Sequence, residues 1–163
     1  MQEMCQKPLF SGEQIYSLIP QRPPIVMVDA LYSYEEGGAE TGLTVRGDNI
    51  FVEDGRLAEP GLMEHVAQSA AAFAGYGTFS KGIAPKLGYI AEVRKFRIHC
   101  LPETGAVLHT ALKILGSAGG MSLLSAETWM YASESDVCSA ETGQGYGTVP
   151  VASGQMKIFI KDE

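Results

Sequence analysis

The chain lacks the long apolar run that a membrane-spanning helix needs. None of its 163 residues falls in a stretch approaching the roughly 18 consecutive apolar residues of a membrane span. Residues 1–10 also lack the apolar segment that is typical of a signal peptide. We therefore expect no membrane segment, no membrane partner and a cytoplasmic protein.

Cysteine is scarce, with three residues, Cys5, Cys100 and Cys138. The number is odd, and no two of them have the spacing of metal ligands. His99 and Cys100 are adjacent rather than spaced, which does not favour zinc. The pattern predicts free thiols in a reducing compartment and no metal site.

Basic residues are outnumbered, because 12 Lys and Arg face 19 Asp and Glu, for a net charge of −7. Nucleic acids select basic surfaces, so a nucleic-acid partner is not expected. The length favours a single domain over residues 1–163, since a chain of this size buries roughly 70% of its unfolded surface.

The first half of the chain predicts a short helix, a hairpin and a long helix. Ser11 followed three residues later by Gln14 is the pattern of a capping box, and Pro20 ends the short helix. The predicted elements are a helix over 11–19, strands Ile25–Tyr34 and Ala39–Arg46, a polar loop over 47–59 and a helix over about 62–79.

The second half changes to a period of two residues, which predicts strands. These are Leu87–His99, Ala106–Leu115, Met121–Ala132, Val137–Val149 and Gln155–Ile160. Short polar breaks between them predict an antiparallel meander. One apolar helix cannot cover both faces of such a sheet. It can lie in the concave face of a curved sheet, which makes the fold class α+β.

Glu64 stands out because it is a carboxylate at the start of an apolar helix. One interpretation is a solvated side chain that stabilises the N-terminus of the helix dipole. The other is a buried group that acts as a general acid or base. The pattern alone leaves both open.

Several short segments, spread from about Ile15 to Ile160, match the motifs of one enzyme family in the same order. They are Ile19-Pro20-Gln21-Arg22 through Val28-Asp29 (Leu-Pro-His-Arg through Val-Asp in the family), Glu64-His65-Val66-Ala67-Gln68 (Glu-Ala-Met-Ala-Gln), Gly88-Tyr89-Ile90-Ala91, Lys95-Phe96-Arg97, and Pro102 with Gly105. In these segments the chain resembles the 3-hydroxyacyl-acyl-carrier-protein dehydratases. Gly55-Arg56-Leu57, with Glu64 nine residues after Gly55, is most similar to the subgroup of aryl-polyene and related pigment pathways.

The resemblance implies a hotdog fold, in which a curved antiparallel sheet wraps around one long central helix. It further implies at least a dimer, no cofactor, and a substrate carried by acyl carrier protein or coenzyme A. The implied reaction removes water from a 3-hydroxyacyl thioester to give the trans-2-enoyl product. Glu64 would be the acid, and the Gly61 N–H would bind the thioester oxygen. Alternatively, Pro60-Gly61 is only a turn.

The chain departs from the family in the loop before the helix. There the family carries a histidine that removes the α-proton, but residues 51–60 contain none. His65 cannot replace it within one chain, because neighbours on a helix point about 100° apart. In a two-fold dimer it could reach the Glu64 of the second copy. Otherwise it is a histidine on the helix surface or at an interface.

A basic cluster, Arg94, Lys95 and Arg97, stands out in an acidic chain. It is either a docking patch for an acidic carrier or a phosphate, or a solvated strand face. A strict period of two places Lys95 and Arg97 on one face, and Arg94 with Phe96 on the other.

Two other functions fit the missing histidine. One is a hotdog thioesterase that uses Glu64, since related enzymes hydrolyse thioesters without a histidine. The other is a non-catalytic subunit that completes a tunnel with an active paralogue, which predicts a heterodimer in place of a homodimer.

Overall fold

The computed structural model describes residues 6–132 and 147–160. Cys5, Cys138 and most of the predicted strand Val137–Val149 lie outside these ranges. The elements are strands β1 Phe10–Ser11, β2 Ala30–Glu35, β3 Gly38–Thr44, β4 Val52–Glu53, β5 Arg56–Leu57, β6 Gly88–Ile98, β7 Val107–Ala118, β8 Met121–Tyr131 and β9 Thr148–Ile160, with a 3₁₀ helix Gly12–Ser17 and an α-helix α1 Glu59–Phe79.

Seven strands form one antiparallel sheet in the order β1-β2-β3-β7-β8-β9-β6. The predicted meander is confirmed for β7, β8 and β9. β6 departs from it, because it pairs with β9 and not with β7, and so forms an edge of the sheet within the described part of the chain. α1 contacts β2, β3, β6 and β7, so strands from both ends of the sheet reach the helix.

α1 buries one face against the middle of the sheet. Val66, Ala70 and Phe73 pack with Leu112 of β7 and Met156 of β9 in the main hydrophobic cluster. Within the described residues, no helix combines the length and the hydropathy that crossing a membrane requires.

The predicted strand Ile25–Tyr34 is wrong over its first half, since β2 begins only at Ala30. A side chain of α1 forms hydrogen bonds with backbone groups that a neighbouring strand would otherwise bind. Gln68 Oε1 accepts the Met27 N–H at 2.6 Å, and Gln68 Nε2 donates to the Ile25 carbonyl at 2.8 Å. Ile25 and Met27 are therefore bound to the helix, and the segment meets β3 only at its end, where the Asp29 N–H donates to the Gly42 carbonyl at 3.0 Å.

The structure corrects three other boundaries. α1 begins at Glu59 and not near residue 62, because Pro60 fits the first turn of a helix, where its missing N–H costs nothing. The predicted polar loop contains the small hairpin β4–β5. β9 runs unbroken through Pro150, so the predicted strand Gln155–Ile160 is only its second half.

Gly75 marks the closest approach between α1 and the segment after the 3₁₀ helix. A Cβ atom at this position would overlap the carbonyl oxygen of Leu18, a backbone atom that cannot move away freely. Leu18 itself is fully buried in the main cluster. The glycine is therefore required by packing, although its backbone conformation is that of an ordinary helix.

We predict that Gly75→Ala destabilises the protein by at least about 2 kcal/mol. Alanine gains about 1 kcal/mol in helix propensity, but overpacking against backbone costs about 3 kcal/mol. Gly37→Ala is the matched control, because nothing lies within 4 Å of a Cβ there. Urea unfolding measures both, and a Gly75→Ala variant as stable as the parent would contradict the packing argument.

His65 lies in the core, where both ring nitrogens have partners. Nδ1 is 2.6 Å from the Met27 carbonyl, and Nε2 is 2.8 Å from Thr110 Oγ1. The carbonyl can only accept, so Nδ1 carries the proton and Nε2 accepts from the Thr110 hydroxyl. Thr110 in turn accepts from the Thr128 hydroxyl at 2.7 Å. Burial lowers the pKa of His65 to about 4.

This lowered pKa predicts that acid destabilises the fold. A histidine in the unfolded chain titrates near 6.5, so the unfolded state binds the proton first as the pH falls. The stability is present above pH 6.5 and is lost towards pH 4. From this residue we expect the free energy of unfolding to fall by about 2 kcal/mol between pH 7 and pH 5.

Urea unfolding at the two pH values, together with an NMR titration of the His65 ring, tests this expectation. His99→Gln, at an exposed position, should show the same loss of stability. Protonation of the His65 ring above pH 6 in the folded protein would refute the neutral buried state.

Candidate active site

A cavity of about 260 Å³ lies between α1 and the strands β6 and β9. Its helix side carries Glu64 and a row of alanines three or four residues apart, which places them on one face. From Glu64 to Ala74 this face is about 15 Å long. The lining residues are Glu64, Ala67, Ala70, Ala71 and Ala74 of α1, Gly88, Tyr89, Ile90, Ile158 and Ile160 of the strands, and Pro20, Gln21 and Lys86.

Glu64 provides the carboxylate of this cavity and is held by the next turn of its own helix. Its Oε1 accepts a hydrogen bond from Gln68 Nε2 at 2.8 Å. The same Gln68 carboxamide binds the Ile25 carbonyl and the Met27 N–H. Its two donor hydrogens and its acceptor oxygen are therefore all used. Glu64 is partly buried, so a single rigid amide fixes its position at one end of an apolar space.

No histidine lines the cavity, and all three histidines of the chain are among the described residues. His65 is in the core, as described above. His109 lies on the outer side of the sheet, stacked on Tyr32 and Trp129. The prediction of His65 as a surface or interface residue is wrong, because the helix places its ring between the Met27 carbonyl and Thr110.

The remaining histidine, His99, follows β6 and lines a separate open groove of about 490 Å³ with Glu127, Trp129 and Pro150. The groove is larger than the Glu64 cavity, but it contains no residue of α1. His99 Nε2 lies 3.3 Å from the Ser153 hydroxyl. We regard the smaller cavity as the candidate site because it joins a fixed carboxylate to apolar walls.

Gly61 does not supply a free N–H group. Its amide donates to the Ala58 carbonyl at 2.9 Å within the first helical turn. A Cβ at Gly61 would lie 2.7 Å from Leu57 Cδ1 and from Phe51 Cβ. The predicted role as an oxyanion donor is therefore wrong, and Gly61 is needed for close packing of the β4–β5 hairpin on the helix.

The basic cluster lies on β6, beyond the residues that line the cavity. A bulge interrupts the pairing with β9, because Arg94 pairs with Gln155 and Arg97 with Ser153. Lys95, at φ 50°, is the extra residue. Arg94 and Arg97 consequently share one face of the sheet, which corrects the alternation predicted from a strict period of two.

One carboxylate compensates part of this positive charge. Glu92 Oε1 accepts from Arg94 Nε at 2.7 Å, and Glu92 Oε2 lies 3.0 Å from Lys157 Nζ. These hydrogen bonds, led by that of Arg94, lower the pKa of Glu92 to about 2. Arg94 is therefore paired, whereas Lys95 and Arg97 make no ion pair with the described residues.

Sequence reasoning missed two residues of the site, Gln68 and Gln21. Gln68 had a signal, since it follows Glu64 by four residues and the two therefore face each other on a helix. Gln21 lies in the segment that matches the family's Leu-Pro-His-Arg motif, but a short connector between prolines does not reveal which way its side chain points. Across the described residues, no three His, Cys, Asp or Glu side chains are grouped to hold a metal ion.

Comparisons with solved structures show the fold. A chain of the dehydratase heterocomplex ApeI:P from Xenorhabdus doucetiae matches with a TM-score of 0.75 at 17% identity, over 91% of both chains. An HP0420 homologue from Helicobacter felis matches at 0.62 and 16% identity, over 99% of this chain and 95% of that one. A hypothetical thioesterase with coenzyme A from Streptococcus pneumoniae TIGR4 matches at 0.56 and 10% identity, over 90% of each.

The comparison with sequence families is more specific. A search of curated proteins finds no match. The family model of the ApeP-like proteins, described as ApeP dehydratase, matches residues 13–142. The expected resemblance and the expected hotdog architecture are thus both confirmed. The family model covers most of this chain, so the chain belongs to the ApeP-like dehydratase family. Its fold is the hotdog fold, in which an antiparallel sheet holds one long helix.

Proposed function

We propose that this protein dehydrates 3-hydroxyacyl thioesters and that Glu64 donates the proton to the departing hydroxyl group. The observation that supports this most strongly is the fixed Glu64 carboxylate at one end of an alanine-lined cavity. An acyl chain is apolar and fits such walls, whereas its oxygen-bearing carbons need a polar group. A carboxylic acid within reach of the 3-hydroxyl can protonate it as the C3–O bond breaks.

The base that removes the C2 proton comes from a second chain. None of the three histidines lines the cavity, so one chain offers the acid without the family's usual base. The similar Xenorhabdus chain is part of a dehydratase heterocomplex. We infer that this protein likewise pairs with a hotdog paralogue that contributes the missing base.

The edge strand β6 is the surface that we propose for this pairing. Among residues 6–132 and 147–160 its only neighbour in the sheet is β9, so the backbone groups on its other side are available to a further strand. Tyr89 and Ile90 are 49% and 46% exposed and also line the cavity. A second chain on β6 would therefore cover apolar side chains and close the cavity in one step.

The carrier of the acyl group is proposed to dock near Arg94, Lys95 and Arg97. Acyl carrier proteins are acidic and hold their cargo on a phosphopantetheine arm, and coenzyme A offers the same phosphate chemistry. These basic residues lie on β6, the strand that also lines the cavity with Tyr89 and Ile90, and positive charge there steers such partners towards this strand. Lys95 and Arg97, which have no ion pair with the described residues, are the residues that we expect to matter most.

Two alternative functions differ from dehydration in the product that is formed or in the need for Glu64. A thioesterase would give the free acid from the same thioester, and a non-catalytic subunit would not need Glu64. The thioesterase structure described above is 10% identical, which shows a shared fold alone. The heterocomplex neighbour makes the non-catalytic subunit the stronger of the two alternatives.

We predict that Glu64→Gln lowers the dehydration rate by about 100-fold or more, which is the usual contribution of a general acid. Glutamine keeps an oxygen to accept from Gln68 but has no proton to donate at this step. Glu59→Gln is the matched control, an exposed glutamate in the first turn of the same helix, and it should leave the rate unchanged.

The measurement is mass spectrometry of a 3-hydroxyacyl carrier protein incubated with this chain, with and without its paralogue. Loss of one water, requiring both chains and Glu64, supports the proposal. Appearance of free carrier protein and acid would instead identify a thioesterase. Full dehydration by a complex containing Glu64→Gln would show that this chain is the non-catalytic partner.

A further inference from the structure

Gln21 lines the cavity that contains Glu64, and its side chain has a polar atom with no partner. This atom, Oε1, is buried and accepts no hydrogen bond from the described residues. Buried carbonyl oxygens are normally hydrogen-bonded, and leaving one unsatisfied costs stability. A turn of the Gln21 side chain towards the cavity would let a donor bound there satisfy this oxygen.

The backbone at Gln21 is held by hydrogen bonds from its neighbour Arg22, so binding a ligand in the cavity would require only the Gln21 side chain to turn. Arg22 Nη1 donates to the Gln21 carbonyl and to the Ile19 carbonyl, both at 2.8 Å. Arg22 Nη2 donates to the Tyr16 carbonyl at 3.1 Å, and the guanidinium lies 5.1 Å from the centre of the Tyr16 ring. These contacts hold residues 19–22 against the end of the 3₁₀ helix.

Gln68 provides the contrast within the same site. Its carboxamide has every donor and acceptor satisfied by the protein. It therefore has a structural role and nothing left to offer a ligand. Gln21 has the same functional group with its acceptor unused, which is the arrangement expected of a group that binds a ligand.

We propose that Gln21 binds the 3-hydroxyl group of the substrate, with Oε1 accepting the hydroxyl hydrogen. This inference rests on the proposed dehydration. The 3-hydroxyl is the donor that distinguishes a 3-hydroxyacyl chain from a saturated acyl chain or an enoyl product. With its hydrogen directed to Gln21, the hydroxyl oxygen keeps its lone pairs for the proton of Glu64. A neutral amide suits this task because it does not compete for that proton.

The proposal has a consequence for selectivity. A site that reserves an acceptor for a hydroxyl group binds the analogue without it more weakly, because the buried acceptor is then left unpaired. Loss of the hydroxyl during the reaction removes the same hydrogen bond. Gln21 would therefore favour the substrate over its product and over fully reduced chains.

The test compares two ligands of equal chain length, a 3-hydroxyacyl and a saturated acyl pantetheine thioester. Their affinities are measured by calorimetry in the Glu64→Gln background, which stops turnover. With Gln21 present we expect the 3-hydroxyacyl ligand to bind about tenfold more tightly, a typical effect of one hydrogen bond. Gln21→Met should bind both equally, with an unchanged affinity for the saturated ligand.

Two further variants control for folding. Gln155→Met, on the outer face of β9 opposite Arg94, should keep the tenfold preference. Gln21→Met should be as stable to urea as its parent or more so, since it removes an unsatisfied oxygen. Gln68→Met should be less stable, since it leaves the Met27 N–H and the Ile25 carbonyl without their partners.

Outcomes of this test are separable from those of the dehydration assay. A preference for the 3-hydroxyacyl ligand that survives Gln21→Met, or is absent while Gln21 is present, overturns the role of Gln21 alone. A preference that depends on Gln21, combined with no dehydration by the two-chain complex, overturns the proposed reaction and keeps the hydroxyl-binding site.

Discussion

The carboxamide of Gln68 is the interaction on which the site depends. It binds the backbone of the Ile25–Met27 segment through both its oxygen and its nitrogen, and it also holds Glu64. Each of these hydrogen bonds contributes only about 1 kcal/mol, but removing the amide would leave buried backbone groups unsatisfied, which costs more. The same side chain therefore holds both the Ile25–Met27 backbone and the Glu64 carboxylate, so that Glu64 cannot move independently of this segment.

Two faces of α1 have different contacts, one with the core of the sheet and one with the cavity. One face carries His65 and Ser69, whose hydrogen bonds to Thr110 and Thr41 connect the helix to the sheet interior. The other face carries Glu64 and the alanines that leave space for a ligand. Polar groups in the core fix the rotation of the helix, and that rotation directs the carboxylate into the cavity.

Much of the architecture could be predicted from the sequence because it depends on local patterns. The long helix, most strands and the choice of Glu64 as a candidate residue follow from periodicity and from a short family motif. The errors share another cause, which is contact between distant residues. Met27 and Gln68 are separated by 41 positions, and nothing local indicates that helix side chains bind the backbone before β2. Likewise, only pairing with β9 reveals the bulge at Lys95, and only the fold shows that His65 is buried.

A crystal structure of the Glu64→Gln protein with a 3-hydroxyacyl pantetheine thioester tests the central claim most directly, namely that the cavity beside α1 is where the acyl chain reacts. We expect an acyl chain lying along Ala67, Ala70 and Ala74, with the 3-hydroxyl within about 3 Å of the side chain at position 64. A ligand bound in the groove near His99, or bound along the helix with its hydroxyl remote from position 64, would contradict it.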